Sequence, residues 1–353
     1  MASRGEAAPR VSVLMTTFNT GPVIQDTVDA ILAQTFEDWE LVIVDDCSSD
    51  DTVERLAGYS DQRIHVHRNA TNQGISQTRN RAIALARGEY VAANDHDDLS
   101  LPSRLSHQVA YLDANPDVVL LATAAKELAN GQLRSCYSGE VRPHILAWRL
   151  YTRCSIVHSS ICYRRAALSA HGLQYRPEFT YAEDFVLFSE FSDIGGVVIL
   201  PEELVVYRES ASNASSQNTQ AMNDNGMRFL RQRYNALLGR EIAEQDTATL
   251  WKLFNTGLPA ADLSELRTAG ALYAELLRHF LRKHGYAPRQ QAEVEQFAAE
   301  DWWRVVARFS QAQGRFDAQR LYTGAEDLSR WKPPLSALSK TYLKSALGRL
   351  GLI

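Results

Sequence analysis

Glu89-Tyr90-Val91-Ala92-Ala93-Asn94-Asp95-His96-Asp97-Asp98-Leu99-Ser100-Leu101-Pro102-Ser103-Arg104 is a strand-like run that breaks into three carboxylates in four positions, just before an expected helix. Two like charges about 4 Å apart repel by roughly 4 kcal/mol at an effective dielectric of about 20, so such a cluster needs a metal, a proton or a salt bridge. A local reading competes with the cation: Asp routinely caps the following helix and otherwise sits in water. An EF-hand loop starting at Asp95 requires glycine at its sixth position and glutamate at its twelfth. Ser100 and Ser106 stand there instead. What favours a ligand site is a second acidic strand end upstream, Glu40-Leu41-Val42-Ile43-Val44-Asp45-Asp46-Cys47-Ser48-Ser49-Asp50.

The pattern around these two stretches repeats. Val11–Met15 is an apolar run that ends in the turn Thr16–Pro22. A helix follows with Ile24, Val28, Ile31 and Leu32 at helical spacing, Thr20 as its expected cap and Pro22 near its first turn. The continuous branched run Leu41–Val44 predicts a strand covered on both faces in a parallel sheet, followed by a helix over 52–57. A strand over 63–67, a helix over 75–87 stopped by Gly88, a strand over 89–93 and a helix over 102–112 continue the series. Such alternation predicts an α/β fold, a Rossmann-like, mostly parallel sheet flanked by helices, in which ligands bind beyond the carboxyl ends of the strands. Thr16, Asp46 and Asp95–Asp98 all fall there, so three strand ends converge on one crevice.

Beyond Val118 the rhythm loosens. Strands are expected over 118–123, 159–163, 197–200 and 204–207, and helices over 144–151, 165–170 and from Glu183, where Phe185, Leu187, Phe188 and Phe191 form a stripe. The polar stretch 208–225 reads as a mobile loop. Residues 227–330 carry apolar side chains at three and four spacing and predict a helical appendage. The expected organisation is a tail over 1–10, an α/β domain over 11–220, a helical region over 221–334 and a basic amphipathic helix over 335–353.

A chain of 353 residues with 45% hydrophobic content can bury a sizeable core. Its net charge of −5, with lysine and arginine scattered, gives no electrostatic footprint for nucleic acid. Cys47, Cys136, Cys154 and Cys162 are too widely spaced for a zinc or disulfide framework, which fits a reducing compartment. Residues 1–10 lack the apolar stretch of a signal peptide, and no apolar run approaches the roughly 20 residues that span a bilayer. A cytoplasmic location is expected, at the inner face of the membrane if the basic face of 335–353 (Lys340, Lys344, Arg349) adsorbs to anionic lipid.

Taken in order, Val11–Asn19, Leu32–Phe36, Glu40–Asp46 with Ser48, Asn72-Gln73-Gly74 with Arg79-Asn80, Gly88-Glu89-Tyr90, Asp95-His96-Asp97-Asp98 with Leu101-Pro102, and Glu183-Asp184 resemble glycosyltransferase family 2. The resemblance covers about residues 11–208. It implies a GT-A fold and transfer of a sugar from a nucleotide diphosphate sugar to an acceptor hydroxyl, with uridine as the family's default base and a saccharide or lipid-linked saccharide as acceptor. It further implies that Thr16 and Asp46 hold the nucleoside, that Arg79 lies beside the nucleotide and that Asp95 contacts the ribose. Asp97 would bind Mg²⁺ or Mn²⁺, and Asp184 would be the general base. Glu183 and His158 are candidates for the acceptor side, although a satisfied structural histidine also explains His158, and acids are favoured at a helix N-terminus in any case.

The chemistry is coherent with that assignment. Departure of a diphosphate requires charge stabilisation, which a hard cation held by one or two carboxylates and phosphate oxygens supplies. Attack by a hydroxyl requires proton removal by a positioned carboxylate. One base and direct displacement imply inversion at the anomeric carbon. Many members of the family place a histidine after a Tyr-Arg pair, whereas Tyr207-Arg208 is followed here by Glu209-Ser210. Two alternatives are weighed. A nucleotidyltransferase would carry a glycine-rich loop with lysine after the first strand, where Thr16-Thr17-Phe18-Asn19-Thr20 stands; a non-catalytic nucleotide-sugar-binding protein would have lost Asp46, Asp97 or Asp184.

Overall fold

The computed structural model describes residues 8–135, 141–209, 213 and 217–313. The expected tail over 1–10 therefore lies mostly outside the described residues, and the expected helix over 335–353 lies wholly outside them. The chain divides into two compact units, the first holding Ser155–Gly226 together with the residues up to Ala147.

The first unit is built on strand β1 (Val11–Thr17), helix α1 (Val23–Leu32), β2 (Trp39–Asp45), α2 (Thr52–Ala57), β3 (Ile64–Arg68), α3 (Ile75–Leu85) and β4 (Tyr90–Ala93). β1 and β2 are almost wholly buried, as branched strands between two helical layers must be. The two-residue β5 (Leu99–Ser100), α4 (Arg104–Ala114), β6 (Val118–Ala129), β7 (Gln132–Ser135), α5 (Pro143–Arg149), β8 (Cys162–Arg164), α6 (Arg165–His171), α7 (Glu183–Ile194) and β9 (Gly196–Arg208) follow. The sheet runs β3-β2-β1-β4-β8-β6-β9-β5, with β7 paired to β6. The half from β3 to β4 is parallel; β8 joins β4 and β6 antiparallel, and β6 and β9 are parallel again.

This order fixes where a ligand can enter. β1 is flanked by β2 on one side and β4 on the other, so the winding direction reverses at β1. The crevice beyond the carboxyl ends of β1 and β4 is the switch point at which open α/β sheets bind ligands.

Four local expectations change. Thr20 does not cap α1: its hydroxyl meets Thr52 Oγ1 at 3.3 Å, and Pro22 occupies the cap position. α3 ends at Leu85, before Gly88. The stretch over 208–225 is not all loop, because helix α8 (Thr219–Leu238) begins inside it. The two strands expected over 197–207 are one, β9, with register shifts against β6 opposite Thr123–Ala125 that absorb Pro201, Glu202 and Leu204.

Gly88 serves close approach instead of termination. A Cβ there would lie 2.5 Å from the Ser12 backbone nitrogen and 2.8 Å from the Tyr90 carbonyl oxygen. Its N–H donates to Ser12 Oγ at 2.8 Å, and that hydroxyl donates to buried Glu40 at 2.6 Å. Gly88→Ala is expected to lower stability by about 1–3 kcal/mol through displacement of the β1–β4 edge, measured as a shifted denaturation midpoint with an unchanged slope.

The second unit comprises Trp148–Cys154 and the residues from Met227 onward. It holds the end of α8, α9 (Glu244–Trp251), α10 (Leu263–His284) and α11 (Pro288–Ala312). Asp262 caps α10 by accepting from Glu265 N–H at 2.8 Å, and Gly285, at φ +57°, ends it. Tyr273 stacks on Trp302 with centroids 5.5 Å apart and meets Trp148 at a tilt of 56° and 5.2 Å, and Arg153 grips buried Asp301 with two bonds of 2.7 and 3.0 Å. No helix among the described residues is long and apolar enough to cross a membrane.

Candidate active site

Two loops form the near wall of the crevice, one after β1 and one after β2, and they are tied to each other. Asn19 N–H donates to Ser48 Oγ at 2.9 Å, Thr20 N–H to Thr52 Oγ1 at 2.9 Å, and Gly21 N–H to Asp50 Oδ2 at 2.9 Å. These amides are thereby consumed, so this turn offers no nest of free N–H groups to cradle a phosphate, and charge on a phosphate must be met elsewhere. Asn19 and Cys47 hold positive φ of 52° and 66°, and Tyr181, two residues before Glu183, has φ +69°. Non-glycine residues adopt this region at a cost, and such strain concentrates at functional sites.

Asp46 is buried and occupied. It accepts from Asn69 Nδ2 at 2.6 Å, Gln73 N–H at 2.8 Å and Gly74 N–H at 2.9 Å, which locks the end of β2 to the N-terminus of α3. One acceptor position of its carboxylate remains. Thr16 lies half-buried at the end of β1, its carbonyl 3.2 Å from His96 Nδ1. Thr16, Arg79, Asp95, His158 and Tyr175 together line one small cavity against the sheet.

The three carboxylates after β4 have three different environments. Asp95 meets Arg79 Nη2 at 2.9 Å and His158 Nδ1 at 3.0 Å. Burial opposes its ionisation, yet His158 and Arg79 hold its carboxyl well below the usual carboxylate range. Asp98 points inward and accepts from Ser159 Oγ and from Arg208 N–H, the latter at 3.0 Å; burial and the charges of Asp95 and Asp97 push its carboxyl well up. It does not cap α4, whose cap position is Ser103. Asp97 receives no side-chain hydrogen bond among the described residues, and burial, with the Asp95 charge, pushes its carboxyl up against the opposing field of His96. Of the three carboxylates, Asp97 is thus the one that no side chain among the described residues satisfies.

A compensating cation lies beneath this loop. Arg104 is fully buried and donates to Asn94 Oδ1, Ser100 Oγ, and the carbonyls of Ala93 and Ile161 at 2.7–3.0 Å. Burial pulls its guanidinium down to about 10, while Asp98 and Asp95 draw it back up. The sequence held a signal for it: a cation in the first turn of a helix opposes the helix dipole and calls for a tertiary partner.

The far wall is the N-terminus of α7. Glu183 is 2% exposed; its Oε1 pairs with Arg79 Nη1 at 2.8 Å, and its Oε2 has no partner among the described residues. Burial pushes its carboxyl up, with Arg79 opposing and Asp184 reinforcing that shift. Asp184 is half-buried, and its Oδ1 accepts from Phe185 N–H at 2.6 Å at the positive end of the helix. His158 has both ring nitrogens engaged, Nδ1 by Asp95 and Nε2 by Tyr175 Oη at 2.8 Å. Tyr175 is held in turn by Asn80, which donates to its carbonyl at 2.7 Å and accepts from its N–H at 2.9 Å. Tyr175, Arg104, Ser159 and Asn94 went unmarked in the sequence.

With Thr16, Asp46 and Asp95 at three neighbouring strand ends, and Asp184 joined to them through Glu183 and Arg79, the match of residues 12–172 to the family model for glycosyl transferase family 2 falls on the wall that carries most of these groups. Residues 12–172 belong to glycosyltransferase family 2. The chain is a glycosyltransferase with the GT-A fold. An uncharacterised glycosyltransferase of Haemophilus influenzae is 26% identical over 264 residues, which are 71% of this chain and 82% of that protein. Several further curated relatives are spanned by the match over less than half of their own length. Residues 1–349 of S. aureus TarS, in complex with UDP-GlcNAc, share the fold with a TM-score of 0.55 at 19% identity, covering 87% of this chain and 93% of that one. The mannosyltransferase PcManGT of Pyrobaculum calidifontis, in complex with GDP-Man and Mn²⁺, does so with 0.51 at 20% identity, covering 92% and 88%.

A divalent cation fits the residues present. No group of three or more His, Cys, Asp or Glu side chains among the described residues could hold a metal by itself. A hard cation bound through one carboxylate, substrate phosphates and water needs no such cage, and Asp97 is a carboxylate left without a side-chain partner.

Proposed function

We propose that this glycosyltransferase is an inverting, metal-dependent enzyme that moves a sugar from a nucleoside diphosphate sugar, with uridine as the base, to a hydroxyl of a saccharide or lipid-linked saccharide. The observation that carries the reading is the unequal treatment of the carboxylates: side chains hold Asp95 and Asp98, whereas, among the described residues, Asp97 receives no side-chain hydrogen bond and half-buried Asp184 accepts only from the Phe185 N–H. Asp97 would hold Mg²⁺ or Mn²⁺, which when bound supplies positive charge to the departing diphosphate.

The remaining work falls to the chain's own groups. Asp46 has one acceptor position for the N–H edge of a base, and Thr16 lies beside it at the end of the adjacent strand. Asp95, kept ionised by Arg79 and His158, accepts from ribose hydroxyls. Asp184 takes the proton of the acceptor hydroxyl as that oxygen attacks the anomeric carbon from the side opposite the diphosphate, so one displacement inverts the configuration. The neighbours' names support a nucleotide-sugar donor and divide over its base, one complex holding UDP-GlcNAc and the other GDP-Man with Mn²⁺.

Nucleoside diphosphate release measured over a panel of UDP- and GDP-sugars, with Mn²⁺, with Mg²⁺ and with chelator, tests the reading. Release from a UDP-sugar that requires the cation is expected. Equal release in chelator would remove the metal, and a preference for GDP-sugars would remove uridine.

A further inference from the structure

A cationic side chain beside a nucleotide site is ordinarily assigned to the nucleotide's phosphates. Arg79 is instead committed to two carboxylates of the protein. Its Nη1 donates to Glu183 at 2.8 Å and its Nη2 to Asp95 at 2.9 Å, its Nε is buried without a partner among the described residues, and the side chain is about one-tenth exposed. One buried carboxylate, Glu183, and one half-buried, Asp95, flank the guanidinium, and the Tyr175 ring covers it with the guanidinium carbon 5.3 Å from the ring centroid.

We infer that Arg79 and Glu183 form an ionic strut that sets the position of Asp184 relative to Asp95, and that neither side chain binds the donor. Arg79 stands on α3, Asp95 follows β4, and Glu183 opens α7, immediately before Asp184. The planar fork of the guanidinium spans both carboxylates at fixed geometry, as a lysine ammonium cannot. The Arg79 side chain thereby ties the first turn of the helix that presents Asp184 to the loop that presents Asp95 and Asp97. His158 and Tyr175 brace the other side of Asp95, and Asn80, next to Arg79 on α3, clamps the Tyr175 backbone through its two reciprocal bonds. The Asp95 end is therefore tied to α3 twice, through Arg79 and through Asn80, and the Glu183 end through Arg79. Displacement of a reacting group by about 1 Å can cost on the order of 10²-fold in rate, so the strut acts on turnover and leaves the donor contacts alone.

This inference rests on the reading of Asp184 as the base and Asp95 as a donor contact. It is tested with the full chain and the nucleotide sugar consumed fastest in the panel above, comparing Glu183→Gln, Arg79→Lys, Arg79→Met and Asp184→Asn for kcat, donor KM, and binding of the released nucleoside diphosphate by calorimetry. Glu183→Gln is expected to lower kcat by at least about 10-fold with donor KM and product affinity within about 3-fold of wild type. Arg79→Lys, which restores the charge but reaches one carboxylate, should fall between wild type and Arg79→Met. Combining Arg79→Met with Glu183→Gln should cost little more than the worse single change, because both remove one connection. Wild-type kcat in Glu183→Gln would overturn the strut, as would a loss of product affinity in Arg79→Met parallel to its loss of kcat, which would make Arg79 a donor ligand. Full turnover in Asp184→Asn would overturn the underlying assignment instead, and the two failures are distinguished by which variant stays active.

Discussion

Asp184→Asn should bind the nucleotide sugar as wild type does and turn it over at least about 10²-fold more slowly, since a positioned general base contributes about 10²–10⁴ in rate. The substitution is isosteric and leaves the Oδ1 acceptor for Phe185 N–H in place, so the first turn of α7 keeps its capping contact. What it removes is the ability to take a proton. The fall should therefore lie in kcat and in kcat/KM equally, the signature of an interaction made only in the transition state. Unchanged kcat would remove Asp184 from the role, and a rise in donor KM alone would make it a binding group. Neighbouring Glu183 cannot substitute: it is 2% exposed and its Oε1 is committed to Arg79.

Much of this site was legible before any coordinates. The alternation of branched runs and helical stripes placed β1 to β4 within a few residues of where they lie, because strands buried on both faces leave an unbroken apolar signature. That Thr16, Asp46 and Asp95–Asp98 follow neighbouring strand ends was readable from the carboxyl-end rule, and Thr16 and Asp95 do line one cavity. The division of labour among the three aspartates after β4 did not follow. Asp97 and Asp98 are adjacent in sequence, and what turns Asp98 inward is Ser159, 61 positions away, together with the backbone of Arg208. No local pattern carries that information. Arg79 shows the same limit: the family resemblance sets it beside the nucleotide, and only the fold reveals two carboxylates, 16 and 104 positions distant, already holding it. The helix from Thr219 was missed because its first turns are rich in Gln, Asn and Asp, residues that compete with helix hydrogen bonds locally and resemble loop.

Asp97→Asn should separate function from stability in opposite directions. Asp97 has a folded-state carboxyl raised by burial and by Asp95, so its charged form is less favourable in the folded protein than in the unfolded chain. The sign follows: above its unfolded value the charge costs folding stability, and the penalty fades as pH falls and the group binds its proton. Removing the charge is therefore expected to leave the melting temperature at pH 7 unchanged or raised in the absence of cation. Asp98→Ala should instead lower it, because Ser159 Oγ–H and Arg208 N–H both donate to the Asp98 carboxyl, and its removal leaves these buried donors unsatisfied at about 1–3 kcal/mol each. In activity the Asp97 variant should fall by at least about 10²-fold, the equivalent of losing roughly 3 kcal/mol of charge stabilisation on the diphosphate. Scanning calorimetry of each variant with and without Mn²⁺ and nucleoside diphosphate checks both halves. Wild type should gain thermal stability from the two together and the Asp97 variant should not. The same gain in both, or a lower melting temperature for the Asp97 variant without cation, would show that this carboxylate serves the fold and that the cation is held elsewhere.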